Sequence, residues 1–365
     1  MNILLFANIE GPWNGVRPEA EVFFRIAEKG HRVCVCTKGG AENVSRFVSK
    51  GIAVFDVYPR MKVCLKTIFA LRRIIMERRI DIVFATNSRT IPNAAFACIG
   101  LPVRMVNYRG TSKGLYRHDP SAYLTHLHPR VDGIICNAEA VRQDVLKRVW
   151  KNREYVRTIF KGHDLSWFSD SPAELSEFGI PNSACVVTCV ANSRPSKGIR
   201  YLLEATSFLA DLPDLYILVV GNGSDGKEFV SMKKESPMGD RIILAGFRTD
   251  APQVIRASTI YVQPSIAGEG MARTIVEAMA QGIPPVVTTA GGHAELVIDG
   301  ESGYVVPIKN STAMAQRIRE LYSNSDLRSA MGRAARERIG TEFSITKTVD
   351  AYLDFFQCLL DREIP

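Results

Sequence analysis

Short apolar runs alternate with amphipathic stretches along most of this chain, a pattern that predicts strands and helices in turn. The apolar runs of the first 165 residues predict strands at 2–7, 32–36, 52–55, 81–85, 103–107, 132–136 and 155–159. The stretches between them predict helices at 16–29, 61–79, 89–99 and 138–149. Strands that alternate with helices form parallel sheets covered on both faces. We therefore expect an α/β domain in this half.

A second series of the same kind follows a segment that contains several prolines. Strands are predicted near 184–190, 215–220, 241–244, 259–262 and 285–288, with helices between them. The linker is expected to run from Gly162 through Pro172 to Pro181, and a last helix is predicted at 343–362. The expected organisation is an N-terminal α/β domain at 1–165, a second one at 166–342, and a C-terminal segment at 343–365.

Length and composition agree with two soluble domains. A chain of 365 residues with 46% hydrophobic and 23% charged residues is typical of globular proteins. No apolar run reaches the roughly 18 residues of a membrane span. The first residues predict a strand rather than a signal peptide, so we expect a cytoplasmic protein. Its eight cysteines form no metal-type pairs, and we expect reduced thiols.

Positive charge is concentrated in the first part of the chain. Residues 1–165 contain 27 Lys and Arg against 14 Asp and Glu, a net charge of +13, whereas the remainder carries −5 of the total of +8. Such asymmetry indicates an anionic partner. Because no nucleic-acid-binding motif, aromatic platform or zinc spacing accompanies the charge, nucleic acid is not the expected partner.

Residues 60–79 hold seven basic residues and one acid. Spacings of three and four residues predict a largely apolar stripe of Leu65, Ile68, Phe69, Arg72, Ile75 and Met76. A basic amphipathic helix of this kind can lie on anionic lipid. The same stripe would also result from a helix that packs on the sheet, with its arginines in solvent. Both interpretations can hold together, and we expect peripheral association with a membrane.

The most informative segment begins at Pro264-Ser265. Glu269 precedes a predicted helix start, and Glu277 is expected about two turns inside that helix. Because a helix turns about 100° per residue, both carboxylates can face one crevice. The free N–H groups at the helix start, near Gly270, Met271, Ala272 and Arg273, suit a diphosphate. Carboxylates beside such a site indicate a ligand that also carries hydroxyls, as a nucleotide-sugar does.

This segment resembles the Glu-x7-Glu signature of retaining glycosyltransferases of family four. The matching elements are Pro264-Ser265, Glu269-Gly270, Glu277-Ala278-Met279-Ala280, Gly282, Pro284 and Gly291-Gly292. Met271 and Ala272 replace the usual Phe-Gly, and Pro285 replaces a Val. The resemblance implies the GT-B fold, in which two Rossmann-like domains face each other across a cleft and a C-terminal helix returns to the N-terminal domain.

The resemblance also implies roles for single residues. Glu269 would bind hydroxyls of the donor sugar, and Glu277 would bind those of the ribose. Arg194 and Lys197 lie between a predicted strand and a helix. These two cations could neutralise the departing diphosphate in place of a metal ion, so neither a metal nor a cofactor is expected.

Other positions of the family pattern are less specific. Phe247 and Arg248 lie where the loop that binds the base is expected, and Gly15 belongs to a loop that would approach the diphosphate and the acceptor. Many relatives carry a His near the anomeric centre, where this chain has Arg109. His118 and His163 are possible substitutes, although a lone His is more often structural.

We therefore expect a retaining, metal-independent transferase that moves a sugar from a nucleotide-sugar, with a UDP-sugar as the expected donor, to a surface-glycan precursor such as lipopolysaccharide core, capsule or a lipid-linked glycan. A soluble transferase that makes a small glycoside, an inactive nucleotide-sugar-binding protein and an epimerase of the same fold remain alternatives. Because the donor residues lie in the second half and Gly15 in the first, catalysis would require domain closure, with hinges near 162–172 and at about 343.

Overall fold

The computed structural model describes residues 1–168 and 171–362 of the chain. They divide into two compact units, one formed by Met1–Gly162 with the segment from Phe343 onward, and one by His163–Glu342. The division lies beside the boundaries at 165 and 343 expected from the sequence. Residues 169–170 of the predicted linker and 363–365 of the predicted C-terminal segment lie outside the described residues.

The first unit is a seven-stranded sheet flanked by helices. Its elements are β1 (Asn2–Phe6), α1 (Trp13–Glu28), β2 (Arg32–Thr37), α2 (Val44–Ser49), β3 (Ala53–Asp56), α3 (Leu65–Glu77), β4 (Ile82–Ala85), α4 (Thr90–Ala97), β5 (Arg104–Arg109), β6 (Gly133–Cys136), α5 (Glu139–Leu146), β7 (Val156–Thr158) and α13 (Ile345–Leu360). All strand pairs are parallel, in the order β3-β2-β1-β4-β5-β6-β7. Because helices cover both faces, strands such as Asn2–Phe6 and Ile82–Ala85 are buried along nearly their whole length.

Helix α13 completes the first unit. Tyr352 packs edge-on against Phe84 of β4, with ring centroids 5.6 Å apart, and it also contacts Phe23 of α1. Phe356 lies tilted against the same Phe84 ring at 6.3 Å. The start of α13 lies against Gly162, where a Cβ atom would be 2.5 Å from Ile345 Cα. Glycine is therefore required at the point where the chain leaves this unit.

The second unit has a six-stranded parallel sheet in the order β10-β9-β8-β11-β12-β13. Its elements are β8 (Cys185–Val190), α6 (Ile199–Ala205), β9 (Leu215–Val220), α7 (Lys227–Glu235), β10 (Ile242–Leu244), α8 (Ala251–Arg256), β11 (Ile260–Gln263), α9 (Arg273–Ala280), β12 (Pro285–Thr288), α10 (His293–Leu296), β13 (Tyr304–Val306), α11 (Ser311–Ser323) and α12 (Ser325–Thr341). In this order β8, β11 and β12 are neighbours at the centre of the sheet.

The structure corrects the apolar stripe expected on residues 60–79. Helix α3 begins only at Leu65, and its apolar residues divide between two faces. Ile68 and Ile75 are buried with Leu71 against the sheet. Leu65, Phe69 and Met76 are instead exposed, by 67%, 68% and 53%. The helix therefore has one face in the core and a second apolar face in solvent.

Two features are absent from the described residues. No helix of residues 1–168 and 171–362 has the length and apolar character needed to span a bilayer. Within the same ranges, no three His, Cys, Asp or Glu side chains are grouped as metal ligands would be. All eight cysteines are free thiols, and most of them are buried.

Candidate active site

Three loops of the second unit meet at the carboxyl edge of its sheet. They follow β8, β11 and β12, which are adjacent strands, and in a parallel sheet such loops lie side by side. The loop after β8 carries Arg194 and Lys197, the loop after β11 carries Glu269, and the loop after β12 carries Gly291. Residues far apart in sequence are thus brought to one place, which is where ligands bind in open α/β sheets.

Glu269 and Lys197 form an ion pair at the centre of these loops. Lys197 Nζ lies 2.7 Å from Glu269 Oε1, and the Ser265 hydroxyl donates to the same oxygen at 2.8 Å. The side chains of Lys197 and Glu269 are 24% and 10% exposed. A hydrogen-bonded pair at this depth is held in one geometry and is screened little by solvent. The structure therefore joins the two residues that the motifs had proposed separately.

Two glycines allow the loops to approach so closely. A Cβ atom on Gly198 would lie 2.0 Å from Pro264 O, and one on Gly291 would lie 2.0 Å from Glu269 O. Both glycines also have positive φ angles, +67° and +57°. Any other residue would push the loops apart, so Gly291 allows the close approach of the Glu269 backbone and Gly198 that of Pro264.

A chain of buried hydrogen bonds connects strand β11 to Glu269. Tyr261 OH donates to Gln263 Oε1 at 2.7 Å, and Gln263 Nε2 donates to the Ser265 hydroxyl at 2.9 Å. Thr274, in the first turn of α9, donates to the same Gln263 oxygen at 3.1 Å. The strand, the loop and the helix start are therefore connected through Ser265 to Glu269. Such satisfied buried networks orient functional side chains in advance of ligand binding.

The start of α9 leaves backbone donors available. Ala272, whose methyl side chain cannot accept a hydrogen bond, precedes the first helical residue, Arg273. The N–H groups of the first turn and the positive end of the helix dipole favour an anion at this point. Gly270 is buried, whereas Met271 and Ala272 are half-buried. Their roles in donor binding stay predictions.

Glu277 lies about one turn inside α9, not the two turns expected, because the helix begins at Arg273. Its side chain is only 4% exposed, and Arg273 Nε lies 3.2 Å from Glu277 Oε1. No described residue donates to Glu277 Oε2. Burial raises the pKa of this carboxyl from 4.5 to about 7, although Arg273 opposes the rise. One oxygen of Glu277, Oε2, is thus a buried acceptor without a donor among the described residues.

His293 is a candidate that sequence reasoning missed. It is completely buried at the start of α10, and its Nδ1 lies 3.2 Å from Thr288 O, which assigns the proton to Nδ1. No described residue pairs with its Nε2. Burial lowers the His293 pKa to about 4, partly offset by the negative charge of Glu269. The only signal in the sequence was its place directly after Gly291-Gly292.

The remaining donor candidates have different surroundings. The Arg194 side chain is exposed, and its backbone N–H donates to Asn192 Oδ1 at 3.3 Å. Phe247 is 70% exposed, as a residue that stacks on a ligand could be. Arg248 is bound by Asp250 at 2.6 Å and by Glu177 at 3.0 Å, which together raise its pKa. Its guanidinium is thus engaged within the protein, and a role in base binding stays a prediction.

Gly15 was expected in the loop between the first strand and the first helix, but it lies inside the helix. Helix α1 already begins at Trp13, so Gly15 lies in its first turn, where its N–H donates to Pro12 O at 2.9 Å. The positive φ angle of this segment, +97°, belongs to Gly11 instead. The segment around Gly15 is therefore a helix start rather than a glycine loop, and its contact with the acceptor and the diphosphate stays a prediction.

In the first unit, Arg109 and His126 line one cavity of about 280 Å³. Arg109 Nε donates to Thr111 O at 3.1 Å, which ties the guanidinium to its own loop. His126 Nδ1 lies 3.1 Å from Asn107 Oδ1, and burial lowers the His126 pKa to about 3. His126 is therefore neutral and was not predicted, since nothing in the sequence around it marks it.

The two histidines named from the sequence lie elsewhere. His118 is exposed and stacks on Tyr116 with ring centroids 5.3 Å apart. His163 is 5% exposed and packs beside Trp167 and Phe168 in the second unit. The structure does not place either of them in the cavity that Arg109 lines.

Two family models match nearly the whole chain. One, described as glycosyl transferases group 1, matches residues 170–338, and the other, described as glycosyltransferase family 4, matches residues 21–167. The family 4 match ends at residue 167 and the group 1 match begins at residue 170, a few residues after the division between the two units at Gly162 and His163. The matched ranges therefore include each of the three loops that meet around Glu269.

Two known proteins that are similar to this chain are also glycosyltransferases. The lipopolysaccharide core biosynthesis glycosyltransferase LpsE of Rhizobium meliloti is 27% identical over 249 residues, 68% of this chain and 71% of that protein. The UDP-Gal:alpha-D-GlcNAc-diphosphoundecaprenol alpha-1,3-galactosyltransferase of Escherichia coli is 23% identical over 308 residues, 80% of this chain and 79% of that protein.

A solved structure shows the fold. Anabaena HepE, crystallised with UDP, is similar with a TM-score of 0.79 at 21% identity, over 98% of this chain and 100% of that one. The two parallel sheets and this likeness confirm the expected fold class, two Rossmann-like domains of the GT-B type.

Proposed function

The chain belongs to the group 1 glycosyltransferases of family four, and we propose that it moves a sugar from a UDP-sugar to a hydroxyl of a surface-glycan precursor. The observation that carries this proposal is the Lys197–Glu269 pair, 2.7 Å apart beside the start of α9. The names of the two relatives, one for lipopolysaccharide core and one for a UDP-Gal donor and a diphosphoundecaprenol-linked acceptor, support this choice of donor and acceptor.

The donor would bind along the loops of the second unit. A ribose hydroxyl supplies the donor that Glu277 Oε2 lacks, since an ionised carboxylate only accepts hydrogen bonds. The diphosphate lies at the N–H groups between Gly270 and Arg273. Lys197 and the exposed Arg194 provide positive charge for the same group. Glu269 then binds a hydroxyl of the sugar.

Transfer would proceed with retention and without a metal. The acceptor oxygen attacks C1 of the sugar on the face from which UDP departs, the bond from C1 to the β-phosphate oxygen breaks, and the acceptor proton passes to that phosphate oxygen. Lys197 and Arg194 stabilise the charge that develops on the phosphate. Because Glu269 is fixed by Ser265 and Lys197, it orients the sugar rather than attacking it.

The second apolar face of α3 supports association with the inner face of the plasma membrane. Leu65, Phe69 and Met76 are exposed there, together with the basic Lys66 and Arg73. Apolar side chains that enter the headgroup region and basic residues near anionic lipid both favour binding, each basic residue by about 1 kcal/mol. This surface would bring the active site to a lipid-linked acceptor.

The test begins with the donor. Thermal shifts with UDP-, GDP- and ADP-sugars identify the nucleotide, since a ligand of the native state stabilises it. Release of UDP from the selected donor is then compared for Glu269→Gln and for Glu301→Gln, an exposed control in the same unit. We expect the first variant to lose about 10²–10³ in rate while its unfolding is unchanged, and the second to stay active.

Other outcomes decide between alternatives. Full activity of Glu269→Gln would contradict the proposed role of this residue. Loss of activity on removing metals with EDTA would contradict the metal-independent mechanism. A protein that transfers sugar to a small acceptor and does not bind anionic vesicles would be a soluble transferase instead.

A further inference from the structure

The first unit contains its own large cavity, distinct from the donor loops. It has a volume of about 780 Å³ and lies at the carboxyl edge of the sheet, after the ends of β1, β2, β3 and β4. All of its lining residues belong to this unit: Asn8, Glu10, Lys38, Gly39, Asp56, Val57, Tyr58, Pro59, Arg60, Cys64, Lys66, Thr67, Ala70 and Arg89. Carboxyl edges of parallel sheets are where ligands bind.

The charges around this cavity are unbalanced. Four basic side chains line it against two acidic ones. Lys38 Nζ pairs with Glu10 at 2.7 Å, and Asp56 accepts a hydrogen bond from the Gly39 N–H at 2.6 Å. Arg60, Lys66 and Arg89 make no ion pair with the carboxylates of residues 1–168 and 171–362. Three cations around one concavity favour an anion with several oxygens.

The wall of the cavity is part of helix α3. Lys66, Thr67 and Ala70 line it, while Leu65 and Phe69, on the same two turns, are exposed outside. Cys64 precedes the helix, and hydrogen bonds from Thr67 lower the pKa of its thiol. An anionic group in the cavity would thus be next to the apolar surface on which a lipid chain can lie.

We propose that this cavity binds the phosphate group of the acceptor, with Arg60, Lys66 and Arg89 as its ligands. The inference rests on the proposed function, because it names the chemistry of the acceptor. The same phosphate could come from a soluble sugar phosphate or from a lipid headgroup. The apolar face beside the cavity favours the lipid.

Cys64 gives a local readout of occupancy. It lines the cavity and is half-buried, so we expect iodoacetamide to alkylate it, and the exposed Cys358 on α13 serves as an internal reference. The full chain is labelled with and without inorganic pyrophosphate, and the modified cysteines are quantified by mass spectrometry. We expect pyrophosphate to slow labelling of Cys64 several-fold and to leave Cys358 unchanged.

Variants test the ligands of the phosphate. Lys66→Met and Arg89→Met should each raise the half-protecting pyrophosphate concentration roughly tenfold, as expected for loss of one charged contact. Lys147→Met removes an exposed charge outside the cavity and should change nothing. The proposal would be overturned if pyrophosphate protected Cys64 equally well in the three variants and in the unsubstituted chain. It would also be overturned if pyrophosphate did not protect Cys64 in the unsubstituted chain.

Vesicles distinguish a lipid phosphate from a soluble sugar phosphate as the ligand of the cavity. Protection by phosphatidylcholine vesicles that contain phosphatidic acid, but not by phosphatidylcholine alone, identifies a lipid phosphate, whereas protection by pyrophosphate only identifies a soluble one. Failure of the proposed function would be seen separately, because UDP stabilisation and sugar transfer are measured without reference to Cys64.

Discussion

Glu277→Gln should make the ligand-free protein more stable above pH 7 while it weakens UDP binding. In the folded chain the Glu277 carboxyl is buried, and its pKa rises from 4.5 to about 7. The unfolded chain therefore loses this proton at lower pH than the folded chain does. Between these two values the folded state holds more protons, so its stability falls as pH rises.

The pKa difference sets the size of the effect. A rise from 4.5 to about 7 corresponds to about 3 kcal/mol of lost stability once the pH exceeds both values. Glutamine has the same shape but no charge to bury, so the variant avoids this loss. We expect equal stability of the two proteins near pH 4 and a difference of up to about 3 kcal/mol in favour of Glu277→Gln at pH 8.

Unfolding of the second unit can be measured separately from unfolding of the first. Cys189 is fully buried in β8, so pulsed thiol labelling of Cys189 across a urea series reports when this unit opens. Glu301→Gln, at an exposed position, is the matched control. UDP affinity of Glu277→Gln should fall about 10- to 100-fold, because hydrogen bonds to a charged acceptor contribute about 1.5–3 kcal/mol.

One result would refute this reasoning. If Glu277→Gln and the unsubstituted chain differ in stability by the same amount at pH 4 and pH 8, the pKa of the carboxyl is the same in the folded and the unfolded chain. Glu277 would then be an ordinary ionised partner of Arg273, and its lack of donors would not indicate a ligand.

Three other predictions concern the loops and the surface. Gly291→Ala should destabilise the second unit by about 3 kcal/mol and reduce sugar transfer, because its Cβ would meet Glu269 O. The control is Gly300→Ala, at a glycine with a positive φ but open space around it, and urea unfolding should show a loss of only about 1 kcal/mol. Leu65→Ser with Phe69→Ser should abolish sedimentation with anionic vesicles at unchanged melting temperature, whereas Val48→Ser, exposed elsewhere, should not. UDP should slow hydrogen exchange at the start of α9 in the unsubstituted chain and less in Lys197→Met; equal slowing in both would argue against contact of Lys197 with the diphosphate.

The parts of the fold that the sequence predicts well depend on local patterns. Strands such as Leu215–Val220 are continuous apolar runs bounded by turns, and they lie where the pattern predicts them. Tyr304–Val306 was not predicted, because three apolar residues are too few to distinguish a strand from a loop. The first helix begins three residues earlier than expected, since Trp13 and Asn14 give no helix signal of their own.

The donor site could be predicted only where its residues lie in short motifs. Lys197 and Glu269 each belong to one, and parallel neighbouring strands bring them together. His126 and His293 depend on contacts with distant segments that no local pattern encodes. On α3 both faces are apolar, and periodicity alone does not show which of them is buried.

The return of α13 to the first unit has a consequence for the order in which the chain is made. Residues 163–342 form one continuous unit that is complete as soon as it leaves the ribosome. The first unit is different, because Phe23 and Phe84 contact Tyr352 only after the whole second unit has been synthesised. The apolar surface that α13 covers therefore stays open throughout that time, and exposed surface of this kind favours aggregation of a nascent chain.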